Sequence, residues 1–265
     1  MQGSEERPPF LTASWSGFGC AGVGCLSYGL FAVAQLGAFL VILQRAHPDL
    51  WTLALRPPPH DLQHALPGWT IQASTAPNLF WLAVIGDGAM VLVALLLAKL
   101  YLDAKGRQLG FGIQTSGGQL LGGLITGLLL VVLSSLVAGA QAKIFGPHPE
   151  AVAQILKTHH GTANFLFDFA SVGIVAPFAE ELLFRGVIFA GLAQRMPLGW
   201  AAAISGVIFG LAHLDPWNIL PLAVVGTGLA LLYRRTGSLW PNIVAHGAFN
   251  AVALILVYFL PKFAT

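Results

Sequence analysis

Seven apolar stretches, most of them about twenty residues long, constrain the fold of this chain more than any other feature. A helix of that length crosses the hydrocarbon core of a bilayer, where only helices and closed barrels satisfy their own backbone groups. The stretches cover approximately residues 24–43, 78–100, 119–140, 162–195, 198–214, 218–233 and 240–260. The sequence therefore predicts an all-α, polytopic integral membrane bundle with about seven transmembrane helices.

The composition agrees with a membrane location. Hydrophobic residues make up 56% of the 265 residues and charged residues only 9%, which is too little charge to cover a soluble surface. No basic block suggests a nucleic-acid partner, so none is expected. The first ten residues lack the features of a cleaved signal peptide, and the first apolar stretch is expected to be a retained anchor.

The short connections predict an orientation. The connections after the second, fourth and sixth stretches carry the basic residues Lys99, Lys105, Arg107, Arg195, Arg234 and Arg235. The positive-inside rule places these connections in the cytoplasm. The lipid environment is expected to be the cell (inner) membrane.

Two regions follow from the distribution of motifs. Residues 1–118 form an amino-terminal region with two transmembrane helices and a long loop, and residues 119–265 form the core. His47, His60 and His64 in that loop, and the histidines of the 141–161 linker, show no spacing typical of a metal site. The glycine pairs 118/122 and 123/127 predict close helix packing.

Two acids and an arginine interrupt the fourth stretch, in the sequence Glu180-Glu181-x-x-x-Arg185. Ionisable groups at hydrocarbon depth each cost a few kcal/mol, so they require pairing, water or a functional reason. Glu180 and His213 stand equally far from the turn at Met196-Pro197, which places them at the same depth of a helical hairpin. They are therefore expected to face each other.

Residues four apart share a face of a helix, and three such pairs occur on three successive helices. They are Glu181 with Arg185, Phe209 with His213, and His246 with Asn250. The first pair predicts a buried salt bridge, and the last places an imidazole and an amide on one wall of a cavity. For any single pair, the alternative is that the polar side chains only hold neighbouring helices together. The three pairs together favour a functional site.

Such a set supports peptide hydrolysis without a serine or cysteine nucleophile. A carboxylate beside an imidazole can take a proton from water, while His and Asn donors can stabilise the oxyanion at a carbonyl. Alternatively Glu180, His213 and His246 could ligate zinc and leave a position for water. No His-Glu-x-x-His helix is present, so the zinc case rests on the assembled geometry alone. A metal-free site is favoured, with zinc as the alternative.

The three motifs, in this order on successive apolar segments, resemble those of the CAAX-protease and bacteriocin-processing family of intramembrane proteases. The resemblance covers roughly residues 119–260 and implies packed membrane helices around a cytosol-facing cavity. It implies that Glu180 is the general base with His213, that His246 and Asn250 bind the oxyanion, and that Glu181, Arg185 and Phe209 support them. It also implies a membrane-associated peptide or protein substrate, in some relatives a prenylated one.

Two other functions use the same residues. A transporter or proton-coupled channel would use the buried acids, with Asp87 and Asp168 as further relay points. A non-catalytic membrane protein of the bacteriocin-immunity type would use them only to hold helices together.

Overall fold

The helices are those that the apolar stretches predict. The computed structural model describes residues 8–12, 15, 17–47, 70, 73–111, 114–148 and 151–260, and within these ranges every regular element is helical. After a 3-10 turn at Pro9–Thr12, the elements are α1 Gly17–Ala46, α2 Ala76–Leu102, α3 Gly117–Phe145, the short α4 Ala151–Leu156, α5 162–193, α6 Leu198–Ala212, α7 Ile219–Thr236 and α8 Leu239–Phe259. The prediction of seven long helices is confirmed.

The chain is an integral membrane protein. Helices α1, α2, α3 and α8 are each long and apolar enough to cross a bilayer. Helix α6 has only 15 residues, which gives it a length of roughly 22 Å, short of the roughly 30 Å of the hydrocarbon core. Helix α6 alone is therefore too short to cross the whole hydrocarbon core, and the connection between α6 and α7 begins within it.

Helix α5 is a continuous helical rod with two widened turns. Its α-helical segments are Thr162–Asp168, Ala176–Glu181 and Ala190–Ala193, and the π-type turns Phe169–Val175 and Leu182–Phe189 join them. Pro177 explains the first widening, because proline has no N–H and its ring crowds the carbonyl four residues earlier. The acids of the motif begin three residues after this proline.

Glycines bring α3 into backbone contact with α8. A Cβ atom on Gly123 would overlap the Pro241 carbonyl, and one on Gly127 would overlap the carbonyl of Ala245. The predicted close packing is thus confirmed for the 123/127 pair. It is wrong for Gly122, which has open space around it.

A second polar cluster joins the ends of three helices, and the sequence interpretation missed it. His159 was expected to be a loop histidine with no carboxylate beside it, yet its ring is buried between Asp168 of α5 and the backbone before α2. Its Nδ1 lies 2.8 Å from Asp168 Oδ2, and its Nε2 lies 2.6 Å from the Ser74 carbonyl oxygen. The Tyr258 hydroxyl of α8 donates to the same carboxylate at 2.6 Å. Since both ring nitrogens face acceptors, the ring can donate to both only as an imidazolium.

We expect Asp168→Asn to lower the free energy of unfolding by about 2 kcal/mol, because it removes the charged acceptor that holds His159 and Tyr258. Thermal unfolding in detergent measures the change. Asp103→Asn is the matched control, since that carboxylate is exposed and pairs only with Lys99 on the surface. Equal melting temperatures for Asp168→Asn and the wild type would show that the cluster contributes nothing.

His60 and His64 of the connection between α1 and α2 lie outside the described residues. The division of the chain at residues 118 and 119 stays a prediction.

Candidate active site

Glu181 is the centre of a buried ionic network between α5 and α8. Glu181 and Arg185 are both fully buried, and guanidinium Nη1 lies 2.9 Å from carboxylate Oε1. The predicted salt bridge is therefore present. Nδ1 of His246 also lies 2.9 Å from Oε1, and the Asn242 amide donates to Oε2 at 3.2 Å. Because an ionised carboxylate only accepts, Nδ1 of His246 is the donor, and its Nε2 is left for other partners.

Glu180 has a different environment from its neighbour. Its side chain is 21% exposed, and its Oε2 lies 3.9 Å from Nε2 of His246. That oxygen is buried and accepts no hydrogen bond from the described residues. A buried oxygen without a donor is costly unless water reaches it. The two adjacent acids thus have different environments. Protein donors bind the Glu181 carboxylate, whereas Oε2 of Glu180 accepts no hydrogen bond from the described residues.

Glu180 and His213 line one cavity, as their equal distances from the Met196-Pro197 turn predict. The cavity has a volume of about 510 Å³. Its other walls come from α1 and α2, through Tyr28, Gln35 and Met90 among others. The amino-terminal helices, which carry none of the three motifs, therefore form walls of the cavity that contains Glu180 and His213.

His213 ends α6 in a defined ring orientation. Its Nδ1 lies 2.8 Å from the Phe209 carbonyl oxygen, which can only accept, so Nδ1 is the donor. In the neutral ring Nε2 is then unprotonated and is able to bind a water proton. The Phe209 ring is buried beneath the site, with its centroid 4.8 Å from that of His213, 5.6 Å from that of His246 and 4.7 Å from the Arg185 guanidinium carbon.

Asn250 is bound to the backbone of α5. Its Nδ2 donates to the Val172 carbonyl at 2.7 Å. That carbonyl has lost its helical donor, because the Ala176 N–H bonds to Ser171 instead and Pro177 has no N–H. The sequence interpretation placed this amide with His246 on one cavity wall. In this structure one N–H of the amide is used to satisfy the widened turn.

Asn242 is the main residue of the network that the sequence interpretation missed. It is fully buried and bridges the Glu181 carboxylate and the Leu229 carbonyl of α7, the latter at 2.7 Å. The sequence does contain a signal for Asn242. It stands four residues before His246, which stands four before Asn250, so the three share one face of α8.

Asp87 of α2 is buried. It is a further buried acid, on a helix that carries none of the three motifs.

The three residues proposed to ligate zinc do not form a ligand set as they are placed. A zinc site requires three or four donors at about 2.0–2.3 Å from one point. In the described part of the chain, no three His, Cys, Asp or Glu side chains are arranged to hold an ion. His246 uses Nδ1 on Glu181, so only its Nε2 faces Glu180.

The chain is similar to known membrane proteins over this region. Residues 162–252 match a family model described as Type II CAAX prenyl endopeptidase Rce1-like. The protein named "Putative membrane peptidase YdiL" from Bacillus subtilis (strain 168) is 39% identical over 83 residues, which are 31% of this chain and 34% of that protein. "UPF0177 protein YxdF" from Lactococcus lactis subsp. lactis (strain IL1403) is 30% identical over 80 residues, which are 30% of this chain and 44% of that protein.

The chain thus matches less than half the length of either relative. No solved structure matches it. The matched segment contains all three motifs and runs from the start of α5 into α8. Over residues 162–252, the chain is therefore similar to the Type II CAAX prenyl endopeptidase Rce1-like family, and this segment holds the three motifs.

Proposed function

We propose that the chain is an intramembrane endopeptidase in which Glu180 activates a water molecule against a peptide bond. The observation that carries the proposal is the unpartnered Oε2 of Glu180, buried 3.9 Å from Nε2 of His246 in a cavity that His213 also lines. A water molecule fits such a position, because the site is polar and offers several partners.

The proposed reaction moves one proton and breaks one bond. Glu180 accepts a proton from the water, whose position His213 fixes through Nε2. The water oxygen forms a bond to the peptide carbonyl carbon, and the carbonyl oxygen gains the negative charge. When the C–N bond breaks, the proton passes from Glu180 to the leaving amine. The products are a carboxylic acid and an amine, and transfer of the acid proton to the amine gives the carboxylate and the ammonium.

His246 is the proposed oxyanion donor. With Nδ1 donating to Glu181, it can donate from Nε2 to the oxyanion only as an imidazolium. Asn250 would also donate to the oxyanion if its Nδ2 released the Val172 carbonyl during the reaction. Arg185, Phe209 and Asn242 hold Glu181 and His246 in place. The proposed mechanism needs no metal ion, because the Glu180 carboxylate takes the proton from the water.

The substrate we propose is a membrane-associated peptide or protein segment. The cavity of about 510 Å³ falls in the ordinary range for ligand sites and has apolar walls contributed by α1 and α2. An apolar segment reaching it from the bilayer would bury its side chains there. A prenyl group is one such apolar element.

Comparison of membrane peptides from cells that carry the wild type or Glu180→Gln tests the proposal and identifies substrates. We expect fragments that occur only with the wild type. Identical peptide sets in both strains, at equal protein levels, would argue against proteolysis.

The resemblance implies a cavity that faces the cytosol, and the position of the cavity in the bundle conflicts with that expectation. The basic residues Lys105, Arg107 and Arg195 lie at the end of the bundle where α1 begins, and the Arg195 guanidinium there donates to the Trp15 carbonyl. The cavity residues Gln35 and Phe39 lie in the second half of α1, and Leu82 lies in the first half of α2. If the basic end is cytoplasmic, the cavity occupies the opposite half of the bundle.

We propose that the basic end faces the cytoplasm, as the positive-inside rule requires. A cysteine introduced at Lys105 is then expected to react with an impermeant maleimide only after the cells are opened. Reaction in intact cells would show the opposite orientation, in which the half of the bundle that contains the cavity faces the cytoplasm.

A further inference from the structure

The end of α6 carries His213 on a constrained backbone. Leu214, the next residue, has φ +53°, in the left-handed region that non-glycine residues rarely adopt. Such a conformation persists only where the surroundings fix it. On one side α7 does so, because Gly210 lies against the backbone of Ile219 without room for a Cβ atom.

On the other side of this helix end stands Tyr28 of α1. Its hydroxyl donates to the carbonyl of Ala212, the last residue of α6. The last four carbonyls of a helix have no donor within the helix, and an unpaired carbonyl among apolar side chains is costly. Tyr28 supplies a donor from outside the helix, directly before His213.

Tyr28 also stands where two cavities meet. An adjoining apolar cavity of about 370 Å³ lies between α1, α5 and α6. Tyr28, Phe184, Ala212 and Leu214 line both this cavity and the one that contains Glu180 and His213. Because open space lies on both sides of this wall, packing alone does not hold Ala212 and His213 in place. The hydroxyl bond adds a directional contact from α1 to the bond between His213 Nδ1 and the Phe209 carbonyl.

We propose that Tyr28 is a positioning residue for His213 in the proposed hydrolysis. It fixes the end of α6 from α1 and so keeps Nε2 of His213 aimed at the water beside Glu180. The inference rests on the proposed function and extends the machinery to a helix outside the segment 162–252. Tyr28 acts through Ala212 and takes no proton itself.

Tyr28→Phe tests the proposal, because it keeps the ring, which packs 5.4 Å from that of Phe31, and removes only the hydroxyl. With a substrate peptide and reconstituted protein, we expect kcat to fall about tenfold, while KM changes by less than about twofold. Tyr258→Phe is the matched control, since it also removes a bonded hydroxyl but far from His213. It is expected to lower the melting temperature and leave kcat unchanged.

A second measurement does not depend on cleavage. Diethyl pyrocarbonate modifies accessible histidine rings, and mass spectrometry reports the rate for each peptide. In Tyr28→Phe we expect the rate at His213 to change at least about threefold, while the exposed His160 keeps its wild-type rate. Unchanged kcat, or an unchanged rate at His213, would overturn the inference even if the wild type cleaves peptides. If the wild type cleaves nothing, the proposed function fails, and the His213 rate alone decides the positioning role.

Discussion

Glu180→Gln is expected to slow peptide cleavage by roughly 10²–10⁴-fold, the contribution typical of a general base. The amide cannot accept the proton from water, although it has nearly the same shape as the carboxylate. Because Glu180 is partly exposed and its Oε2 accepts no hydrogen bond from the part of the chain that the structure describes, the change should leave the melting temperature near that of the wild type. The measurement is cleavage of an identified substrate by purified protein in liposomes.

Asp87→Asn is the matched control for this experiment. Asp87 is another buried acid of the bundle, but the proposed hydrolysis gives it no proton to carry. We expect cleavage to remain within about threefold of the wild-type rate. A transport relay would require both acids, so loss of solute flux in both variants without any peptide product would favour the transporter.

The same assay tests the metal question. We expect a chelator to leave cleavage unchanged, because the mechanism uses only side chains and water. Loss of activity that stoichiometric zinc restores would assign Glu180, His213 and His246 to a metal site instead.

Arg185→Met is expected to destabilise the protein by about 3–5 kcal/mol, the cost of leaving a buried charge without its partner. Glu181 is fully buried, and without the guanidinium its carboxylate would keep only the His246 and Asn242 donors. Thermal or denaturant unfolding in detergent measures the loss.

The double variant Glu181→Gln/Arg185→Met separates charge from packing. Glutamine removes the buried charge and still offers an oxygen to His246, so the double variant should be more stable than Arg185→Met alone. If Arg185→Met unfolds like the wild type, or the double variant is the less stable one, then the ion pair does not hold this network together.

The helices and part of the site could be predicted because their signals are local in the sequence. The number and approximate bounds of the long helices follow from apolar length alone. The Glu181–Arg185 pair follows from spacing within one helix, and the shared cavity of Glu180 and His213 follows from equal distances to one turn.

The remaining contacts could not be predicted because they join distant segments. Asn250 binds Val172 only because Pro177 widens a turn of α5, a rearrangement that spacing along α8 does not reveal. Tyr28 reaches Ala212 across 184 residues of sequence. His159 meets Ser74, 85 residues earlier, through the packing of loop against loop.

Hydrolysis in water labelled with ¹⁸O tests the central claim most directly. If Glu180 activates water, the wild type in liposomes should place one labelled oxygen in the new carboxylate of the amino-terminal fragment, and Glu180→Gln should give almost no product. Labelled product formed by Glu180→Gln at the wild-type rate would contradict the account.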